Sequence, residues 1–255
     1  MTFLALHQQD TPLLIGNVWD ASSAKIVSQL GFNAVGTSSA AIAYTLGYED
    51  GENMPFDELL FMVERIARVV SVPLTVDLEA GYGDTAEDIV ANILQLAALG
   101  VVGINLEDSK VINGKRTLLD AADFALTLSR IRSALNHANI DMFINARADA
   151  FIMKADDALV QTLDRATRYE AAGASGLFVP YLRAEQDIAA VVAHTALPVN
   201  VLCVPELPDF ATLASFGVKR ISMGDFAYEK LQRTLHSSLE TVLDEGSFSS
   251  LFTPT

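Results

Sequence analysis

A single cysteine, Cys203, stands among 255 residues, so no disulfide can form within the chain. That scarcity suits a reducing compartment. Basic residues are few: 17 Lys and Arg face 32 Asp and Glu, for a formal charge of −15. No Lys/Arg block or stripe is present to track a phosphate backbone, and the excess of acid argues against an anionic membrane surface. Neither nucleic acid nor a membrane is therefore expected as a partner. No uncharged apolar run reaches the ~18 residues of a membrane span. The opening MTFLALHQQDTP lacks a basic segment followed by a long apolar stretch, so no signal peptide is read. Linkers rich in Gly, Pro or Ser are missing, as is low-complexity sequence. Together these absences describe a cytoplasmic protein whose residues 1–255 form a single domain.

What the chain does contain is apolar residues, 51% of the total, and a steady alternation of element types. Short β-type runs lie at 13–19, 33–39, 74–80, 101–108, 141–149, 176–181, 198–204 and 218–225. Helical patterns separate them, among them 55–70, 156–172, and a last long helix over 224–244. Strict β/α alternation implies a parallel sheet, and eight such units in a chain of this length predict an α/β fold of the (β/α)8 barrel type. A doubly wound sheet would favour a Gly-rich phosphate loop after the first strand, and GNVWDASS is not one. Pro55 suits a first helical turn, while Asp20, Asp84 and Asp120 read as helix caps.

In such a barrel, functional groups belong at the carboxyl ends of strands and in the loops beyond them. The stretch PLTVDLEAGYGD places Asp77 and Glu79 there, two apart and hence on one face of a strand. GINLED adds Glu107 and Asp108, INARAD adds Arg147 and Asp149, and the loop after 33–39 carries Glu49, Asp50 and Glu52. A lone acid at a strand end is usually a cap or a loop ion pair, and Asp108 reads equally well as structural. Acids at several strand ends of one ring repel one another unless a cation relieves them. Oxygen donors select a hard ion such as Mg²⁺, and arginine offers a planar fork to a carboxylate. The pattern describes a site for a small anionic oxo acid. Tyr44, Tyr48 and Tyr82 are candidates to line the cleft, with packing the plainer alternative. Cys203 reads as a small buried hydrophobe, and the four histidines as structural or solvated.

On these motifs, together with NVWDASSAKIVSQLGFNAVGTSSAAIAYTLGYEDGE, the chain resembles the isocitrate lyase/phosphoenolpyruvate mutase superfamily over nearly its whole length. The resemblance implies a barrel that binds Mg²⁺, or Mn²⁺ in its place, and a 2-oxo acid or phosphonate substrate. It carries Asp50, Asp77, Glu79 and Glu107 into the metal site, some through waters. It places Thr37, Ser38, Ser39, Asp77 and Arg147 against the substrate, and makes Asp50, Glu107 and Arg147 the expected catalytic residues. It also implies a homo-oligomer, dimer or tetramer, with the last helix packed on a neighbouring subunit.

One departure is informative. The superfamily's isocitrate and methylisocitrate lyases carry a Lys-Lys-Cys-Gly-His lid, whereas LEDSKVINGKRTLLDAADF is shorter and has neither cysteine nor histidine, which argues against those two activities. Asn113, with Lys110 and Lys115, is the lid's candidate substrate-binding residue. Pro180 stands where mutase-like members place a histidine. Loss of carbon dioxide needs no lid acid, so the resemblance implies Mg²⁺-dependent C–C cleavage at C3 of an oxaloacetate-like 2-oxo acid through a pyruvate enolate. A phosphoenolpyruvate/phosphonopyruvate P–C mutase or hydrolase is the enzymatic alternative. A metabolite-binding barrel without turnover is the non-enzymatic one.

Overall fold

The computed structural model describes residues 2–252. Along the chain run α1 (Phe3–Leu6), β1 (Leu13–Val18), α2 (Ala21–Gln29), β2 (Ala34–Thr37), α3 (Ser39–Leu46), α4 (Phe56–Ala67), β3 (Leu74–Asp77), α5 (Ala86–Ala98) and β4 (Gly103–Glu107). Then follow β5 (Ser109–Ile112), β6 (Lys115–Leu118), α6 (Ala121–His137), β7 (Phe143–Arg147), α7 (Ala158–Ala171) and β8 (Gly176–Val179). The chain closes with α8 (Glu185–His194), β9 (Val199–Leu202), α9 (Phe210–Ser215), β10 (Arg220–Ser222) and α10 (Phe226–Glu245). Eight parallel strands close on themselves in the order β1-β10-β9-β8-β7-β4-β3-β2, while β5 and β6 pair only with each other. The (β/α)8 reading therefore holds, with one addition: the short lid segment after β4 is an antiparallel hairpin.

The helices start where short polar side chains take up free backbone N–H groups. Asp20 accepts from Ser23 N at 2.7 Å ahead of α2, and Asp120 from Ala122 N at 2.8 Å ahead of α6. Asp84 is not a cap; Thr85 fills that role for α5 in a reciprocal pair with Asp88, and the Asp84 side chain lies in solvent. Pro55 sits one residue earlier than expected, at the N-cap of α4 rather than within its first turn. No helix among the described residues is long and apolar enough to cross a membrane.

Strand alternation divides the barrel into two chemically distinct faces. Val35, Val76, Ile104, Ile144, Leu177, Val201 and Ile221 face outward and pack on Leu59, Val63, Ile93, Ile131 and Val191 of the helices. Burying each such side chain contributes about 1.5–3 kcal/mol, and this layer is the main core. Inward positions midway along several strands are polar instead. Asn145 donates to Asn105 Oδ1 at 2.9 Å and to Asn200 Oδ1 at 3.1 Å, and Arg220 donates to Asn105 at 3.3 Å. These bonds span β4, β7, β9 and β10 across the interior, so the barrel axis is a hydrogen-bonded column.

The floor of that column is a small apolar cluster of Phe3, Leu13, Ile15, Ala34 and Phe143. His7 is buried against it, stacked on Phe143 at 4.2 Å with Nδ1 2.9 Å from Phe3 O. Burial, aided by the Arg220 cation, lowers its pKa to about 4, so the folded state holds it neutral. A base with a depressed folded-state pKa favours folding fully above its unfolded value near 6.5, and that contribution fades as pH falls toward 4. At pH 5 the loss is about 2 kcal/mol, by the relation of one pKa unit to ~1.4 kcal/mol. His7→Phe is expected to shrink the fall in melting temperature between pH 7.5 and pH 5, as thermal melts will show. An unchanged fall contradicts this role.

Candidate functional site

A cavity of about 220 Å³ opens at the carboxyl ends of the strands, small for a drug-sized ligand and suited to a short acid. Of the residues expected from sequence, Ser38, Ser39, Asp50, Asp77 and Arg147 line it. Asn17, Asn105, Ser222 and Asp225 join them, with Tyr44, Phe178 and Leu202 supplying apolar wall. A larger hollow of about 500 Å³ lies at the other end of the barrel, around Leu13, Phe32 and Phe210, and has no titratable group in its lining. Chemistry belongs to the smaller one.

Asp77 ends β3 facing the cavity, and its partners are neutral. Ser39 donates to Oδ2 at 2.8 Å, Asn105 to Oδ1 at 3.3 Å, and the Asp77 N–H donates to Thr37 Oγ1 at 2.9 Å. Thr37 thus positions Asp77 from outside the cavity lining. Ser38 is the N-cap of α3 and accepts from Ala41 N at 3.3 Å. Glu79 does not share the face of Asp77, contrary to the two-residue alternation. The strand stops at Asp77, and Glu79 takes a left-handed φ of +50°, turning the chain. Its carboxylate is buried instead against Glu52 N and the Tyr82 hydroxyl, both at 2.6 Å. Burial first, then the charges of Asp50 and Asp77, push its pKa up to about 7.

Arg147 ends β7 between two acids. Its Nη1 is 2.6 Å from Glu107 Oε2, and Nε and Nη2 reach Asp149 at 2.6 and 3.1 Å. Burial works against its charge, yet Asp149 and Glu107 hold its pKa well above the ordinary value. Arginine has five N–H groups, so these contacts leave two free at a cavity wall. Asp108 serves the scaffold: it accepts from Arg165 at 2.8 Å, Tyr169 at 2.5 Å and Asp149 N at 2.9 Å.

The hairpin corrects the lid assignment. Asn113 and Gly114 form its two-residue tip with φ of +52° and +73°, the geometry that an Asn-Gly pair favours between antiparallel strands. Asn113 is therefore exposed and outside the cavity. Arg116 on β6 is the residue that returns to the site, where it pairs with Glu107, with Asp50 at 3.2 Å and with Asp149 at 3.4 Å. Lys110 turns the other way and donates to Gly83 O at 2.9 Å. Cys203 is also corrected: it lies just past β9 and is exposed rather than buried.

Among the described residues, no three His, Cys, Asp or Glu side chains converge as a ready metal cage. The donor set nevertheless fits one ion. Asp77 makes no ion pair and accepts only from neutral donors, with Arg147 and Arg220 near enough to feel its charge, while Asp50 is paired with Arg116. Mg²⁺ keeps several waters and takes one or two carboxylates, and Asp77 and Asp50 on the cavity wall are the residues that would hold it.

The site is thus a polar, strand-end cavity with acids and an arginine in its wall, on a (β/α)8 barrel. The chain belongs to the phosphoenolpyruvate phosphomutase family, whose model matches residues 3–243, within the phosphoenolpyruvate mutase/isocitrate lyase superfamily. A Burkholderia cenocepacia protein provisionally named a phosphonomutase is 42% identical in its crystal structure, with a TM-score of 0.87 over 94% of this chain and 97% of that one. An uncharacterized protein of Mycobacterium tuberculosis is 33% identical over 89% of this chain and 83% of its own. An oxaloacetate decarboxylase of Pseudomonas savastanoi pv. phaseolicola is 30% identical over 89% of this chain and 78% of its own.

Proposed function

We propose that the protein is a Mg²⁺-dependent lyase that cleaves the C3–C4 bond of an oxaloacetate-like 2-oxo acid through a pyruvate enolate. The observation that carries this reading is the pairing, in one small cavity, of a carboxylate held only by neutral donors with an arginine that has N–H groups to spare. When bound on Asp77 and Asp50, Mg²⁺ supplies Lewis-acid polarisation of the 2-oxo group. Arg147 orients the substrate carboxylate, the Ser38 hydroxyl offers a donor to the oxygen on which charge develops, and Ser39 acts through Asp77, to which it donates. Bond heterolysis releases carbon dioxide and leaves the electron pair in the enolate, and a solvent proton at C3 then gives pyruvate. Glu107 and Asp149 act indirectly, by fixing Arg147. The 30% identity to an oxaloacetate decarboxylase supports the choice of substrate.

A second reading, P–C bond chemistry on phosphonopyruvate, is favoured by the 42% identity to the provisionally named phosphonomutase. A panel of 2-oxo acids and phosphonopyruvate with Mg²⁺ separates the two. Pyruvate and carbon dioxide from oxaloacetate are expected. Inorganic phosphate or phosphoenolpyruvate from phosphonopyruvate alone supports the second reading, and ligand binding without turnover of any compound overturns both.

The assembly we propose is a homo-oligomer, dimer or tetramer, with α10 on a neighbouring subunit. Leu231, Leu235, Leu239 and Leu243 recur every fourth residue on that helix and are all exposed in the single chain. Sedimentation velocity at micromolar concentration is expected to give a dimer or tetramer that L235E/L239E splits. A wild-type monomer contradicts this.

A further inference from the structure

Arg116 reaches in from the hairpin to three acids of the site, Asp50, Glu107 and Asp149. The hairpin that carries it is anchored on two neighbouring loops. Val111 of β5 lies where a Cβ on Gly51 would meet it at 2.4 Å, and Gly51, at φ +98°, directly follows Asp50. Lys110 ties the same strand to Gly83 O at 2.9 Å. From this base the Arg116 guanidinium reaches Glu107 and Asp50, with further contacts to Ser109 Oγ at 2.9 Å and Asp149 at 3.4 Å. Its side chain is mostly enclosed, so solvent screens it weakly.

We propose that Arg116 is a built-in counter-ion that competes with a divalent metal for Asp50, so that the hairpin sets the metal affinity of the site. This rests on the reading of the strand-end acids as a metal site. A guanidinium and a divalent cation repel one another across a few ångströms of poorly screened space. Metal binding then requires Arg116 to release Asp50, and its release loosens the hairpin that it latches. Arg116 is a positioning residue in this scheme, acting through the carboxylates it holds.

The test uses Mn²⁺ as the probe, with free ion read by electron paramagnetic resonance, on the purified full chain without substrate. Arg116→Gln is expected to bind Mn²⁺ at least about tenfold more tightly than wild type, a factor that corresponds to ~1.4 kcal/mol. Arg116→Lys, which keeps the charge, is expected to stay within about threefold of wild type. Hydrogen exchange supplies a second readout that needs no variant: amides of residues 109–118 in the wild type should exchange faster once Mn²⁺ saturates the site. Equal or weaker Mn²⁺ binding by folded Arg116→Gln overturns the competition while leaving the metal site standing. If that variant does not fold, unchanged exchange of the wild-type hairpin overturns it. No Mn²⁺ binding by wild type and Arg116→Gln alike overturns the metal reading and the competition with it.

Discussion

Arg147→Met is expected to destabilise the protein by about 3–5 kcal/mol, because it leaves Glu107 and Asp149 as buried carboxylates without their principal cation. Methionine fills a similar volume, so little of the loss comes from a cavity. The uncompensated charge dominates. Arg116 offsets part of it, since it touches the same two acids, and this places the value toward the lower end of the range. Urea unfolding at pH 7.5 measures the change directly. A loss below about 1 kcal/mol, the usual worth of a surface pair, contradicts the central role of this ion-pair cluster in the fold.

Asp77→Asn is expected to behave in the opposite way. It keeps the shape of the side chain and an oxygen to accept from Ser39 or Asn105, and it breaks no ion pair. Stability should therefore change by less than about 1 kcal/mol. Turnover of the 2-oxo acid should fall by about 10²–10³ or more, the scale on which the loss of one well-placed charge-stabilising group is felt. Calorimetry and a pyruvate-release assay on one preparation check both halves. A stable variant with undiminished turnover removes Asp77 from the mechanism.

The eight-strand alternation was legible because short apolar runs alternate with helical patterns, several of which stop at a glycine such as Gly31, Gly100 or Gly173. Asp77 and Arg147 were legible as strand-end residues for the same reason. Glu79 was misplaced because alternation holds only while a strand lasts, and the left-handed turn begins two residues earlier than the apolar pattern suggests. The Asn113-Gly114 pair flanked by Val111-Ile112 and Lys115-Arg116 is a hairpin signal present in the sequence, and it marks Asn113 as the exposed tip. Arg116 then falls on β6, but its reach to Glu107 and Asp50 depends on how the hairpin folds over the barrel, which local pattern does not encode. The inward asparagines were readable too: Asn17, Asn105, Asn145 and Asn200 interrupt otherwise apolar strands. Each side-chain amide donates to at least one partner inside the barrel, as a polar group buried in a parallel strand requires.

Titration of metal-free protein with oxalate, an analogue of the pyruvate enolate, with and without Mg²⁺, on wild type and Asp77→Ala, tests the central claim most directly. Tight oxalate binding that requires both Mg²⁺ and Asp77 is expected. Binding that ignores the metal, or that survives intact in Asp77→Ala, would contradict an enolate site at the end of β3.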